Sequence, residues 1–536
     1  MFGLNIVIRF FCKFLKIVFK VFKLWIPALG FALLLILTSL FHIEDGTFGN
    51  VFSVIVLATF AVAWVLGMLQ SIIRIAKKDF TWGDLFSGLS LPGLPGNKDR
   101  VGFKSKEKGV SADQLNGIVV GKKGNKYIQQ DVNEDGHVMV CGGSGSGKST
   151  GIIIPTLQRW AGRAFYIDIK PELYDASKKA PARMVDGRSN VMVFDPSDNS
   201  TFGYDPLYMV RNSDNPSQAA HQIADILIPL PTGNSDPVWA RGGQSIFVAG
   251  MLYYLKQRPN ISFAELIEEI RIQPVADLIN MIMNESDEYK LAKMEISDKV
   301  GADEKTLASF ASELQTLSLF ASDTQLVSAL NNSRPVLTPD DLENHDVCIR
   351  IQESKLDVWS KLLALVTAQF LKYFEMKPNN SGQSTLFCLD ETPRLGRISG
   401  LQNALATLRS RRVKVLLVCQ SVSQLNEIYG KEVTKALFDN CSRKVILKST
   451  EPETQDYLSK MVGTVYQKTK SRSANSNAYG MSSGGGISVS EQERRIIKPE
   501  EFAYLQDELI CLSPQGYSRL KKIKCWQEKE FAQYMS

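Results

Sequence analysis

His137-Val138-Met139-Val140-Cys141-Gly142-Gly143-Ser144-Gly145-Ser146-Gly147-Lys148-Ser149-Thr150 joins a short apolar run to a glycine-rich turn. The turn has the spacing GxxxxGK[ST] of a phosphate loop. Its flanks are the ones such a loop needs, a strand before it and a helix-forming stretch, Thr150 to Trp160, after it. Glycines at 142, 143, 145 and 147 let backbone N–H groups wrap around phosphate oxygens, and the start of a helix favours the anion. The predicted fold class is α/β with a P-loop nucleotide-binding domain, and residues 142 to 150 are its phosphate-binding set. Lys148 is placed to reach the β- and γ-phosphates of ATP and Ser149 to hold Mg²⁺.

Such a loop needs acids from a second strand. Ser384-Thr385-Leu386-Phe387-Cys388-Leu389 is an apolar strand that ends at Asp390-Glu391. Asp390 is the expected Mg²⁺ ligand, and Glu391 the base that polarises the attacking water. Val413 to Cys419 is a third strand, ending at Gln420, a polar residue placed to sense the γ-phosphate, as in RecA-like motors. Arg409, Arg411, Arg412 and Lys414 precede it. They read either as a basic helix end favoured by the dipole or as the source of an arginine finger for a neighbouring subunit, Arg409 first.

Outward from this core, the net charge of +6 resolves into two unequal parts. Residues 1 to 80 carry eight basic against three acidic side chains, leaving 54 against 53 for the remainder. Leu24 to Phe41 and Val51 to Ile73 are uncharged apolar runs, each near the ~20 residues that cross a bilayer as a helix. The connector between them holds Glu44 and Asp45 and no Lys or Arg, while basic residues flank the outer ends. That asymmetry predicts a transmembrane hairpin over 24–80, with both termini of the chain in the cytoplasm. A basic flank before an apolar run is also the pattern of a cleaved signal peptide, but the second uncharged run that follows at once favours the hairpin. Arg9, Lys13, Lys16, Lys20 and Lys23 recur at helical spacing, so 1–23 reads as an amphipathic segment at the membrane interface or as a plain basic flank. Eight cysteines without a CxxC pair exclude a disulfide framework and a zinc ribbon and fit a reducing compartment.

About 240 residues separate Lys148 from Asp390, too many for a minimal nucleotide core. Strands are expected at Ala164–Asp168, Val191–Phe194 and Val347–Ile351. Between 209 and 339 the apolar spacing turns helical, at His221–Leu230, Gly243–Lys256, Ala264–Ile270, Val275–Asn284, Lys305–Phe320 and Thr324–Leu330. The expected organisation is nucleotide-binding segments 81–208 and 340–536 around an all-α insertion, 209–339. Further strands are expected at Lys444–Lys448, Leu509–Leu512 and Arg519–Cys525. Ser471 to Ser490, rich in Ser, Gly and Asn, reads as a flexible loop.

These landmarks, in this order, resemble the coupling protein family of type IV secretion systems, TraG type. The resemblance extends to Asp168-Ile169-Lys170-Pro171-Glu172-Leu173, Tyr204-Asp205-Pro206-Leu207, Trp239, Leu395-Gly396-Arg397-Ile398, Gln420-Ser421 with Ser423-Gln424-Leu425, and Arg494-Arg495 with Lys498-Pro499-Glu500-Glu501. Ile169, Pro171 and Asp205 depart from the family's usual Pro, Gly and Asn. What the resemblance implies is a homohexameric ring of RecA-like domains on the inner membrane, an ATPase that receives a relaxase with its single-stranded DNA and drives the strand toward the channel components. Two other functions share many of these features. One is an adaptor that exports protein effectors without touching DNA, favoured by the near-neutral charge beyond residue 80. The other is a chromosome-partitioning DNA translocase, disfavoured by the two spans and by the lack of a long low-complexity linker.

Overall fold

A computed structural model describes residues 107–231, 236–473 and 486–535. The expected interfacial segment and transmembrane hairpin lie outside the described residues. Among the described residues, no helix is long and apolar enough to cross a membrane.

Eleven strands form one sheet: β1 (Ile118–Lys123), β2 (Lys126–Gln130), β3 (His137–Cys141), β4 (Arg163–Asp168), β5 (Val191–Phe194), β6 (Asp346–Arg350), β7 (Thr385–Leu389), β8 (Val413–Cys419), β9 (Cys441–Ile446), β10 (Glu508–Ser513) and β11 (Gly516–Lys521). Their order is β2-β1-β11-β10-β9-β3-β8-β7-β4-β6-β5. From β9 to β5 every pairing is parallel; from β9 to β2 every pairing is antiparallel. The central parallel strands are covered on both faces, which is why they read as unbroken apolar runs and not as alternating ones. In β3, Met139 and Cys141 enter one core while Val138 and Val140 enter the other. In β8, Val415, Leu417 and Cys419 face the first core and Leu416 and Val418 the second. The long helix Leu356–Glu375 contributes to the first core and the helix Ile154–Arg159 to the second.

Between β5 and β6 the chain is helical, from Pro216–Leu227 through Val238–Gln257, Phe263–Ile272, Val275–Met283, Lys290–Ile296 and Glu304–Leu314 to Thr324–Leu330. Gly203–Tyr204 pairs with Val336–Leu337 where this excursion leaves and returns. Val238–Gln257 is buried along most of its length, and it shares the first core with the sheet.

Several boundaries differ from expectation for local reasons. After a short helix, Tyr208–Arg211, the helix expected from His221 begins at Pro216, five residues earlier, because the Asn215 side chain accepts from Gln218 N–H and Pro216 supplies a preset φ. The helix expected over Lys305–Phe320 stops at Leu314 and continues as a 3₁₀ turn, Gln315–Leu317, and a short helix, Leu319–Ser322. The strands expected at Lys444–Lys448 and Arg519–Cys525 begin three residues earlier, at Cys441 and Gly516. The expected loop 471–490 is corrected at its two ends, 471–473 and 486–490, while residues 474–485 lie outside the described residues. Thr464–Ser473 and Gly486–Arg495 pair as an antiparallel ladder in continuous register, Thr464 opposite Arg495 and Ser473 opposite Gly486. Backbone hydrogen bonds hold such a ladder whatever the side chains are, so Ser/Gly composition does not reveal it.

Candidate nucleotide site

A parallel sheet delivers all its strand C-termini to one edge, and loops leaving neighbouring strands there meet. β3, β8 and β7 are consecutive neighbours. The phosphate loop after β3, Gln420 after β8 and Asp390-Glu391 after β7 therefore converge on that edge. Gly142 N–H donates to Cys419 O (3.1 Å) and Gly143 N–H to Lys448 O (2.8 Å), so the loop is sewn to both flanking strands. Gly147 has φ +92°, a conformation closed to most side chains. Ser149–Ile153 follow as a π-helical turn leading into Ile154–Arg159.

Lys148 is nearly buried, and its ammonium donates to Gly142 O (2.9 Å) and Gly143 O (3.3 Å) and stands 3.7 Å from Glu391 Oε1. Gln420 Nε2 donates to the other carboxylate oxygen, Glu391 Oε2, at 2.9 Å. Three residues expected at the site from separate parts of the chain thus form one connected group. Glu391 sits in the left-handed region, φ 48°, which costs a non-glycine residue about 1–2 kcal/mol. The turn after it is locked by Thr392, whose hydroxyl donates to Leu389 O (2.8 Å) and accepts from Val418 N–H (3.3 Å).

The Asp390 carboxyl accepts from Glu391 N–H at 2.9 Å. Burial first, and the adjacent Glu391 charge second, push its pKa up to about 7, while Lys148 pulls the other way. Asp168, at the end of β4 beside β7, was not among the expected site residues. It is buried, its Oδ2 accepts from Tyr174 N–H (2.9 Å), its Oδ1 has no partner, and burial raises it to about 6. The sequence signals for Asp168 were its place at the end of a strand and its position at the head of the Asp168–Leu173 segment that carries the family resemblance.

The residues present fit a Mg²⁺ shared with a phosphate. Among the described residues, no three His, Cys, Asp or Glu side chains come together as a metal cage. Mg²⁺ characteristically takes one or two carboxylates and fills its other positions with phosphate and water. Ser149 and Asp390 would supply the protein's share. Nearby, the Ser146 hydroxyl is buried without a partner, leaving it available to a ligand oxygen.

Arg409 lies elsewhere. It belongs to the 3₁₀ turn Leu408–Arg411 that precedes β8, at the opposite edge of the sheet, so the length of β8 places it roughly 20 Å from the phosphate loop of its own chain. Of the four cations there, Arg411 donates to Lys377 O and Thr407 O, Arg412 to Gly382 O, and Lys414 to Glu134 O. Arg409 is exposed.

Both the sequence and the fold resemble those of known proteins. The chain is similar to the protein VirD4 of Rhizobium radiobacter, 25% identical over 414 residues, covering 74% of this chain and 58% of that protein. It is similar to the conjugal transfer protein TraG of Escherichia coli, 24% identical over 378 residues, covering 65% and 59%. It therefore spans a little under three fifths of the length of these curated relatives. Its fold is similar to the bacterial conjugative coupling protein TrwBdeltaN70 in an unbound monoclinic form, with TM-score 0.59, 17% identity, and coverage of 78% of this chain and 94% of that one. A plasmid coupling protein TrwB solved with ADP and Mg²⁺ gives TM-score 0.54 at 16% identity, covering 79% and 94%. The sequence profile described as Type IV secretory system Conjugative DNA transfer matches residues 98–534, and the chain belongs to that family.

Proposed function

We propose that this protein is the coupling ATPase of a type IV secretion or conjugation system, which recruits a relaxase with its bound single-stranded DNA and drives the strand by ATP hydrolysis. The observation that carries the ATPase reading is the Lys148–Glu391–Gln420 group at the mouth of a phosphate loop. Lys148 is placed to pair with the β- and γ-phosphates of ATP. Glu391 is the general base: it orients a water and takes its proton as that oxygen attacks the γ-phosphorus, while the bond from that phosphorus to the β–γ bridging oxygen breaks and ADP leaves with its electron pair. Gln420 holds the second oxygen of that carboxylate, so a shift of Gln420 with the γ-phosphate would transmit hydrolysis into β8. Bound through Ser149 and Asp390, Mg²⁺ would neutralise charge on the transferring phosphoryl group. TrwB with ADP and Mg²⁺ supports both ligands by analogy.

Family membership and the VirD4 and TraG names support the transfer role. The near-neutral balance of residues 81–536 favours a second reading, export of protein cargo without DNA contact, because a DNA-binding surface is usually basic. Purified protein should hydrolyse ATP with Mg²⁺, and Lys148→Ala should reduce turnover to background; surviving turnover in that variant would mean that the site is misassigned. Single-stranded DNA should bind more weakly as salt rises, since phosphate contacts release counterions. Failure to bind at any ionic strength would favour the protein-export reading. We further propose a two-pass protein of the inner membrane with both ends cytoplasmic, working as a homohexamer beside channel components. A topology reporter inserted at Gly46 should read as external, and a cytoplasmic reading would overturn the hairpin.

A further inference from the structure

A phosphate loop has two ends. Lys148, Glu391 and Gln420 mark the end for the terminal phosphate, and the helix start at Thr150 marks the end from which the ribose and base of a nucleotide lead away. Two successive antiparallel pairings, β9 with β10 and β10 with β11, return β11 to the direction of β3. Its C-terminal end therefore arrives at the same edge of the sheet as the phosphate loop.

The chain leaving β11 lies against the start of the loop's helix. Cys525 N–H donates to Thr150 O at 3.4 Å. Ile523 and Cys525 share a core with Ile152 and Ile153, and a methyl on Gly151 would come within 3.0 Å of Ile523 O. The segment is anchored from behind by Lys522, whose N–H donates to Asp507 O (2.8 Å) and whose ammonium donates to Leu505 O (2.9 Å), and by an ion pair of Lys524 with Asp507 (2.9 Å). Cys525 is fully buried, whereas the next residue, Trp526, is 53% exposed.

We propose that Trp526 is the stacking shelf for the base of a purine nucleoside triphosphate held by the phosphate loop. The proposal rests on the nucleotide reading above and adds the base subsite to it. An indole offers a broad, rigid π face, the surface a purine ring stacks on. It needs no hydrogen-bond pattern to do so, so Trp526 contributes affinity for the base, while the phosphates are held independently by residues 142–150.

That independence supplies the test. Equilibrium binding of ATP and of inorganic tripolyphosphate, each with Mg²⁺, would be measured on the full chain and on its Trp526→Ala and Trp526→Phe variants. Trp526→Ala should weaken ATP by roughly 5- to 150-fold, the range for loss of one base–aromatic stack, and leave tripolyphosphate unchanged. Trp526→Phe should recover most of the ATP affinity. Equal weakening of both ligands would mean that Trp526 supports the fold of the loop, and unchanged ATP affinity would mean that the base lies elsewhere; either overturns the shelf. A native chain that bound neither ligand would overturn the nucleotide reading itself.

Discussion

Glu391 occupies a strained backbone position that any glycine would take more easily, and its carboxylate is held from two sides by Lys148 and Gln420. Strain that persists at one residue is stored where the surrounding structure over-determines it, as at catalytic positions. Its neighbour Asp390 stores energy electrostatically. With a pKa of about 7 in place of 3.8, the folded chain holds this proton more tightly than the unfolded chain does. Below the lower value both states are protonated and the carboxyl costs nothing. Between the two values the unfolded chain ionises first, so stability falls as pH rises, and the loss is complete above the upper one. Asp390→Asn, always neutral, should match the native protein near pH 4 and exceed it near pH 8 by about 1–4 kcal/mol, measured as urea midpoints without nucleotide. A pH-independent difference would show that the gain has another cause. The same variant should lose ATP turnover, since site acids are tuned for activity at the expense of stability.

At the scale of elements, β4 and β6 are joined at their N-terminal ends by a buried ion pair. Arg183 Nη1 donates to Asp346 Oδ1 (2.6 Å) and Nη2 to Trp160 O (2.5 Å) and Gly162 O (2.9 Å), while Ala164 N–H donates to the same Asp346 oxygen (2.8 Å). Neither side chain is exposed to water. Such a pair adds little over well-packed apolar residues, but removing one partner strands a charge in the core. Arg183→Met should therefore cost about 3–5 kcal/mol, and combining it with Asp346→Leu should restore part of that. Equal losses in the single and double variants would contradict this account. The strands themselves were readable, because a run buried on both faces can hardly contain anything but apolar residues. The ladder of Thr464–Ser473 with Gly486–Arg495 was not, because its ordering lies in backbone pairing between segments a dozen or more residues apart.

For the whole molecule, the position of Arg409 separates two kinds of chemistry. It lies at the opposite edge of the sheet from its own phosphate loop, so any contact with a γ-phosphate must be with that of another subunit. In a head-to-tail ring each site is completed by the neighbour. Arg409→Ala and Lys148→Ala chains should each be inactive alone. Mixed in equal amounts, about a quarter of the interfaces would pair an intact Lys148 with an intact Arg409, and ATP turnover should reappear. Its absence at every mixing ratio would remove Arg409 from the mechanism. Arg411, Arg412 and Lys414 donate to carbonyls of their own chain, and Arg409 is exposed.

The phosphate loop, the acidic pair and Gln420 were legible in the sequence alone, because each is a short local pattern at the end of an apolar strand. The physical demand on them, glycines where backbone wraps an anion and acids where a metal sits, acts over a few residues. Family membership was legible for the same reason, as an ordered series of such patterns. Only the tertiary structure decided which distant groups share the site. The neighbour relation of β3, β8 and β7 set Gln420 against Glu391, and β4 brought Asp168 beside them. The double reversal through β10 and β11 carried the Cys525 backbone to Thr150 from the far end of the chain. Strand order and direction are properties of long-range pairing, and no residue taken singly encodes them.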